Sequence, residues 1–354
     1  MNYAILNVTT ECFFVVERKP MTKKRKKRRF SRAFQIRKVI ACFITFCLTA
    51  GIGGYVGLYM VLKGPSPTFS GLVANTLMET RRGKFLAHII YSDEEIDALM
   101  TSNGIKEVNG VTDYINQGFD IPEKDKDKFE IVEISGPTFN GLLMIVRDPS
   151  RIDLGVNMLM PDYVNQGYLL EDYVANAGAL GGINAGGFDD PGGKGDGSIP
   201  YGVVIKDGEM ISGSLDDYGT IIGFNQHNRL IVGNMTGEQA MSYGMKNAVT
   251  FGPVLIVNYE CATITGTGGG LNPRTVIGQR EDGTVLLLVI DGRQTSSVGA
   301  TYADCIDIML EYGAINAANL DGGSSSVMVY EGKTINSVVS MNGERMVPTA
   351  WLVK

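Results

Sequence analysis

The run VIACFITFCLTAGIGGYVGLYMVL, Val39–Leu62, contains no charged side chain. About 20 such residues carry a helix across a hydrocarbon core of roughly 30 Å. A surface in water does not tolerate so long an uncharged stretch, and no other feature constrains the chain as much. The run is entered through KKRKKRRFSRAFQIRK, Lys23–Lys38. That juxtaposition reads as an uncleaved signal-anchor, its basic end in the cytoplasm and everything after Lys63 outside the cell. A cleaved signal peptide is the rival, but the run is long for that and Gly64–Pro67 makes a poor cleavage site. A nuclear-localisation reading of the basic block loses to its position beside the apolar run. Met21 begins a more ordinary cytoplasmic tail, so residues 1–20 read as an over-extended start.

Charge divides the chain at the same place. Residues 1–64 carry 13 Lys and Arg against 2 Asp and Glu, while the rest carries 19 against 36. An acidic body on the far side of the span excludes nucleic acid as a partner. Of the five cysteines, only Cys261 and Cys305 reach the exterior. Two are too few for a disulfide framework, and they read as small buried hydrophobes, with pairing left open. No Cys or His cluster has the spacing of a zinc site.

After the anchor, Gly64–Gly71 reads as a short linker and Thr76–Arg82 as a helical stretch. YSDEEIDALMTSNG carries a complete helix signature: Ser92 as N-cap, Glu95 three residues on, apolar Ile96, Leu99 and Met100, and Asn103-Gly104 to stop it. Asp120–Lys128 is a charged surface loop. Up to Phe129 the chain reads as a membrane-proximal stalk or lid without a catalytic constellation. From Glu130 it changes to short β-like runs separated by glycine turns. His227, in the turn Asn225–Arg229, is predicted to be an exposed turn residue.

TVLLLVIDGR, Thr284–Arg293, suits a strand buried on both faces. TYADCIDIMLEYG follows, with Tyr302, Cys305, Ile306, Met309 and Leu310 on one helical face and Gly313 as the stop. AINAANLDGG then gives a second strand. The sequence predicts a βαβ unit whose strands are parallel neighbours, with Asp291 and Asp321 at the same end. The fold class is therefore α+β: a mixed β-sheet core with a C-terminal βαβ unit and flanking helices, preceded by one transmembrane helix.

Four segments carry the chemistry. INAGGF places Asn184, Gly187 and Phe188, and NPRTVIGQ places Arg274. IDGRQ places Asp291 and Arg293, and NLDGGSSSVMV places Asp321, Gly322, Gly323 and Ser324. Arginine forks and glycine-rich nests hold phosphate, and a strand-end carboxylate beside them orients water or stabilises a sugar cation. Each Asp-Gly alone reads more readily as a turn. Their co-occurrence favours a site. No G-x-S-x-G elbow, phosphate-binding P-loop or dinucleotide fingerprint is present, and no histidine lies in the four segments. The Asp189–Asp196 loop lacks EF-hand spacing and leaves a looser calcium site open.

In this order and spacing the four segments resemble the phosphodiester glycosidase domain family, over Ile131–Lys354. That family includes enzymes that remove N-acetylglucosamine from a phosphodiester and membrane-anchored bacterial envelope proteins. Two departures stand out: Asn272 occupies a position the family gives to histidine, and Ser324 one where a third glycine is common. The resemblance implies Asp321, Asp291 and Asn184 as catalytic residues, with the two aspartates' roles unassigned. It implies Arg274, Arg293, Gly187, Phe188, Gly322, Gly323 and Ser324 as the substrate and phosphate contacts. No cofactor is required. The implied organisation is a basic cytoplasmic tail (1–38), a transmembrane helix (39–62), a linker with membrane-proximal helices (63–129) and a catalytic domain (130–354). The expected substrate is a sugar phosphodiester or envelope glycopolymer. The alternative is a non-catalytic envelope polysaccharide-binding protein on the same scaffold.

Overall fold

The computed structural model describes residues 32–80, 83–113, 115–189, 195–340 and 343–354. The basic tail before residue 32, with Met21 and Cys12, lies outside the described residues, as do Asp190–Lys194 of the acidic loop. Helix α1 (Arg32–Leu62) is followed by α2 (Pro67–Glu79), α3 (Lys84–Ile90) and α4 (Asp93–Ser102). Then come β1 (Ile105–Lys106), β2 (Phe129–Ser135), β3 (Asn140–Val146), β4 (Ile152–Val156), α5 (Leu170–Ala177) and β5 (Gly181–Asn184). The middle of the chain forms β6 (Val204–Lys206), β7 (Glu209–Ser212), β8 (Tyr218–Asn225), β9 (Leu230–Thr236), α6 (Gly237–Ser242) and β10 (Met245–Thr250). It continues through β11 (Val254–Val257), β12 (Glu260–Cys261), β13 (Thr263–Ile264), β14 (Arg274–Arg280) and β15 (Val285–Ile290). Helix α7 (Tyr302–Glu311), β16 (Ala314–Leu320), β17 (Met328–Tyr330), β18 (Lys333–Thr334) and β19 (Thr349–Val353) complete it.

Within α1, Phe34–Leu62 is long and apolar enough to cross a membrane, with a mean hydropathy of 2.0. Helix α2 starts earlier than its sequence predicts. Ser66 caps it and Pro67 stands in the first turn, where a missing N–H does no harm. Residues read as linker therefore belong to the helix. Helix α4 has the predicted capping box, with Ser92 and Glu95 bonded reciprocally.

The α+β architecture places three large sheets around one apolar core. Their strand orders are β7-β6-β10-β8-β9, β12-β11-β16-β14-β15-β3-β2 and β18-β17-β5-β19-β4. Core residues from all three meet, among them Leu287 of β15, Ile222 of β8 and Trp351 of β19. Every residue of β15 is buried, as an apolar run without alternation requires. Strand β2 forms a sheet edge and carries exposed Glu130 and Glu133, charges that discourage pairing with another chain.

The unit around α7 differs from expectation in one respect. Strands β15 and β16 are parallel to each other but not neighbours, because β14 lies between them and pairs antiparallel with both. Strand β14, which precedes both in the chain, is buried along nearly its whole length between them. The Asp291 and Asp321 ends still share one edge of the sheet, about two strand spacings or ~10 Å apart. On α7, Cys305, Ile306 and Met309 of the predicted face are buried, but Ile308 joins them while Leu310 is 45% exposed. Cys261 and Cys305 are free thiols. His227 is half-buried within its turn rather than exposed.

Candidate active site

Asp321 leaves the end of β16 where two sheets meet. Asn184, at the end of β5 and 1% exposed, locks it there. The Asn184 amide donates to the Asp321 carbonyl at 2.6 Å, while its own oxygen accepts from Thr275 Oγ1 (2.9 Å) and the Val327 N–H (3.2 Å). The Asp321 N–H in turn donates to the Ala185 carbonyl at 3.0 Å. Burial makes these bonds obligatory, since an unpaired amide there costs about 1–3 kcal/mol. Asn184 thus acts on the site through the position it gives Asp321.

Asp321 lines a cleft of about 420 Å³ with Phe188, Tyr201, Phe251 and Arg345. The Arg345 guanidinium stands 4.6 Å over the Phe188 ring, within cation–π range. Gly187 also lines the cleft, because a Cβ there would meet the Phe251 ring at 2.8 Å. Its N–H donates to the Thr250 carbonyl (3.2 Å), and the Gly323 N–H donates to that of Pro273 (3.0 Å). Neither amide is directed at a ligand, so the expected glycine nest is not built from these two groups. Gly322 precedes the one-turn helix Gly323–Ser325, in which Ser324 is half-buried.

Arg293 has a left-handed backbone, φ 60°, which costs a bulky residue of the order of 1 kcal/mol and marks an over-determined position. Its guanidinium lies against Gly323, where a Cβ would come within 3.1 Å of it, and donates to Asn272 Oδ1 at 3.3 Å. The side chain reaches solvent with protein crowding its other sides. That burial, with Arg274 and Arg345 nearby, pushes its pKa below the usual arginine value against the pull of Asp321 and Glu79. Three arginines and two carboxylates therefore share one region, a balance that attracts anions.

Arg274 does not line the cleft. It is 5% exposed, and its guanidinium donates to Glu79 Oε2 (2.6 Å), the Gly270 carbonyl (2.8 Å) and the Ala300 carbonyl (3.1 Å). The Tyr302 ring stacks beneath it at 3.9 Å. Burial opposes its charge, but Tyr302 and Glu79 outweigh burial and raise its pKa. Asp291 does not line the cleft either. One of its oxygens accepts from Asn336 Nδ2 and the Ser337 N–H, both at 3.0 Å. Burial pushes its pKa up, against those two bonds.

The sequence reading missed four residues. Arg345 lies in a polar loop without motif or strand. Tyr201 and Phe251 flank glycines and prolines, a weak signal for a cleft wall. Glu79 belongs to the membrane-proximal segment in which no constellation was visible. It accepts from Arg274, Asn272 Nδ2 (2.9 Å) and the Gly270 N–H (2.9 Å). Asn272 connects this pair to Arg293. Among the described residues no group of three or more potential metal-binding side chains is assembled.

The model of the phosphodiester glycosidase family matches residues 177–354, half of the chain. The chain belongs to the phosphodiester glycosidase family. The matched span holds the cleft and its arginines but begins after β2–β4, so it is shorter than the resemblance starting at Ile131. A SPbeta prophage-derived uncharacterized protein, YomE, of Bacillus subtilis (strain 168) is 35% identical over 148 residues. That match covers 39% of this chain and 23% of the relative. The catalytic domain of the zebrafish N-acetylglucosamine-1-phosphodiester alpha-N-acetylglucosaminidase, solved auto-inhibited by its pro-peptide, shares the fold at a TM-score of 0.53. It is 19% identical, over 64% of this chain and 82% of that one. Glu79 lies outside the matched residues 177–354, although its partner Arg274 lies within them.

Proposed function

We propose that this phosphodiester glycosidase family member is a hydrolase that cleaves the glycosidic bond of sugar-1-phosphodiesters in the Asp321 cleft. One observation carries the reading: a strand-end carboxylate, an arginine and three aromatic rings converge in a single cleft, with Arg293 beside it. The C1–O bond breaks and its electron pair leaves on the phosphate. Arg345 and Arg293 neutralise that charge, a task for charge-assisted forks. Asp321 faces the developing sugar cation, and water adds to C1 while its proton passes to the carboxylate. The phosphate is a good leaving group, so the chemistry requires no strong general acid. Both histidines lie outside the cleft lining, in α3 and in the β8–β9 turn. The aromatic walls suit a sugar ring. Asp291 serves the loop it binds, and Arg274 serves the strand ends.

The apolar helix Phe34–Leu62 is the membrane anchor in this reading, with the basic tail in the cytoplasm and the hydrolase outside the cell, acting on envelope or extracellular glycopolymers. Purified full-length protein is incubated with an N-acetylglucosamine-1-phosphodiester and with an alkyl N-acetylglucosaminide, each with and without EDTA. Release of sugar from the phosphodiester alone is the expected result. Binding of the phosphodiester without turnover supports the alternative of a glycopolymer-binding protein, and equal cleavage of both substrates overturns the proposed chemistry.

A further inference from the structure

The helices that follow the apolar span carry large hydrophobic side chains that the folded body leaves uncovered. Phe69 of α2 is 53% exposed, and Phe85 and Ile89 of α3 are 62% and 50% exposed. Phe85 and Ile89 stand four residues apart on one helix, so they share a face. Isolated exposed apolar residues need no explanation, but three on two consecutive, mutually packed helices do.

Their position identifies what covers them. The Ser70 hydroxyl, one residue beyond Phe69, donates to the Val61 carbonyl at 3.1 Å. Tyr91 donates its hydroxyl to the Leu62 carbonyl, and Leu62 is fully buried by this packing. Lys63 bonds Glu95 of α4 at 2.8 Å and lies 5.0 Å over the Tyr91 ring. The last turn of the apolar helix is thus held by α2, α4 and Tyr91, and the exposed Phe69 adjoins Ser70, which bonds that turn. A bilayer that contains the helix to Leu62 has its water interface at this level. Tyrosine and lysine are the residues that settle there, and exposed phenylalanine and isoleucine gain by entering the headgroup boundary.

We propose that α2 and α3 form a collar that lies on the lipid bilayer, with Phe69, Phe85 and Ile89 inserted at its interface. The inference rests on the single-span reading above. The collar also carries Glu79, so a membrane-contacting element supplies the carboxylate that holds Arg274.

The test uses the full chain in nanodiscs of phosphatidylethanolamine and phosphatidylglycerol, footprinted with hydroxyl radicals. Each side chain's rate is divided by its rate in the denatured chain. Leu215 and Tyr218, 53% and 71% exposed, serve as internal standards. Insertion slows oxidation of Phe69, Phe85 and Ile89 by about fivefold or more relative to the standards. Tyr55 and Tyr59 of the span report on the anchor independently. If they are protected while Phe69 and Phe85 react like the standards, the collar is refuted and the anchor stands. If all four react freely, the anchor and the collar fall together.

Discussion

Two stretches of this chain share one local grammar. Ile290-Asp291-Gly292-Arg293 and Leu320-Asp321-Gly322-Gly323 each end a largely buried strand in an aspartate followed by glycine. They lie at the same edge of the same sheet, separated by β14. Their aspartates nevertheless have different surroundings. Asp321 lines the cleft, fixed through its backbone by Asn184. Asp291 accepts from Asn336 and Ser337, in the connection that later reaches Arg345. The Asp291 carboxylate accepts backbone and amide donors from a crossing loop and ties that loop to the strand end. One that lines a cleft beside arginines is available for chemistry. The neighbours supplied by distant parts of the chain make the difference.

Substitution by asparagine separates the two most sharply. Asp321→Asn keeps shape and loses charge, so turnover of a sugar phosphodiester should fall by about 10²–10⁴-fold with little change in binding. Steady-state kinetics with direct measurement of substrate affinity checks this, and a fully active variant would erase the distinction. Arg274→Ala should mainly destabilise, by about 3 kcal/mol, the low end for a buried pair because the Glu79 carboxylate left without its cation keeps 17% side-chain exposure. Urea unfolding reads the loss, and an unchanged midpoint would assign Arg274 to the ligand instead. Arg345→Ala should weaken phosphodiester binding and turnover together by about 1.5–3 kcal/mol, at unchanged thermal stability.

The smallest effect belongs to Asp291→Asn. Asparagine retains an oxygen to accept from Asn336 and Ser337, so stability at neutral pH should change by less than about 1 kcal/mol. The pH dependence carries more information. Burial raises the Asp291 pKa in the folded state, so the native protein holds this proton longer than the unfolded chain. The group's contribution is fully present below the unfolded value of about 3.9 and declines as pH rises through the folded pKa. Asp291→Asn should remove that decline from a stability-versus-pH curve. A variant that instead lost turnover as severely as Asp321→Asn would place both aspartates in the chemistry.

Much of the fold was legible because it rests on signals that act within a few residues. The apolar span, the Ser92–Glu95 capping box and the buried run of β15 all follow from local periodicity, capping and charge. The insertion of β14 between β15 and β16 was not legible. Local apolar pattern specifies a buried strand and leaves its neighbours open. Likewise the buried face of α7 takes in Ile308 and leaves out Leu310, since burial at its margin depends on what packs against the helix.

The sequence by itself determined that the chain has one segment fit for a membrane, an acidic body, and four glycine-rich segments ending in chemistry-bearing residues. It also determined that histidine takes no part in those segments. Only the tertiary structure decided which aspartate enters the cleft and that Arg274 is neutralised by Glu79, 195 residues away in the chain. It also brought Arg345, from a loop without any motif, into the cleft that Asp321 lines. The physical reason is the range of the interactions. Helix caps and strand periodicity are fixed by neighbours in sequence, whereas a cleft is closed by side chains that meet only after three sheets have packed on one core.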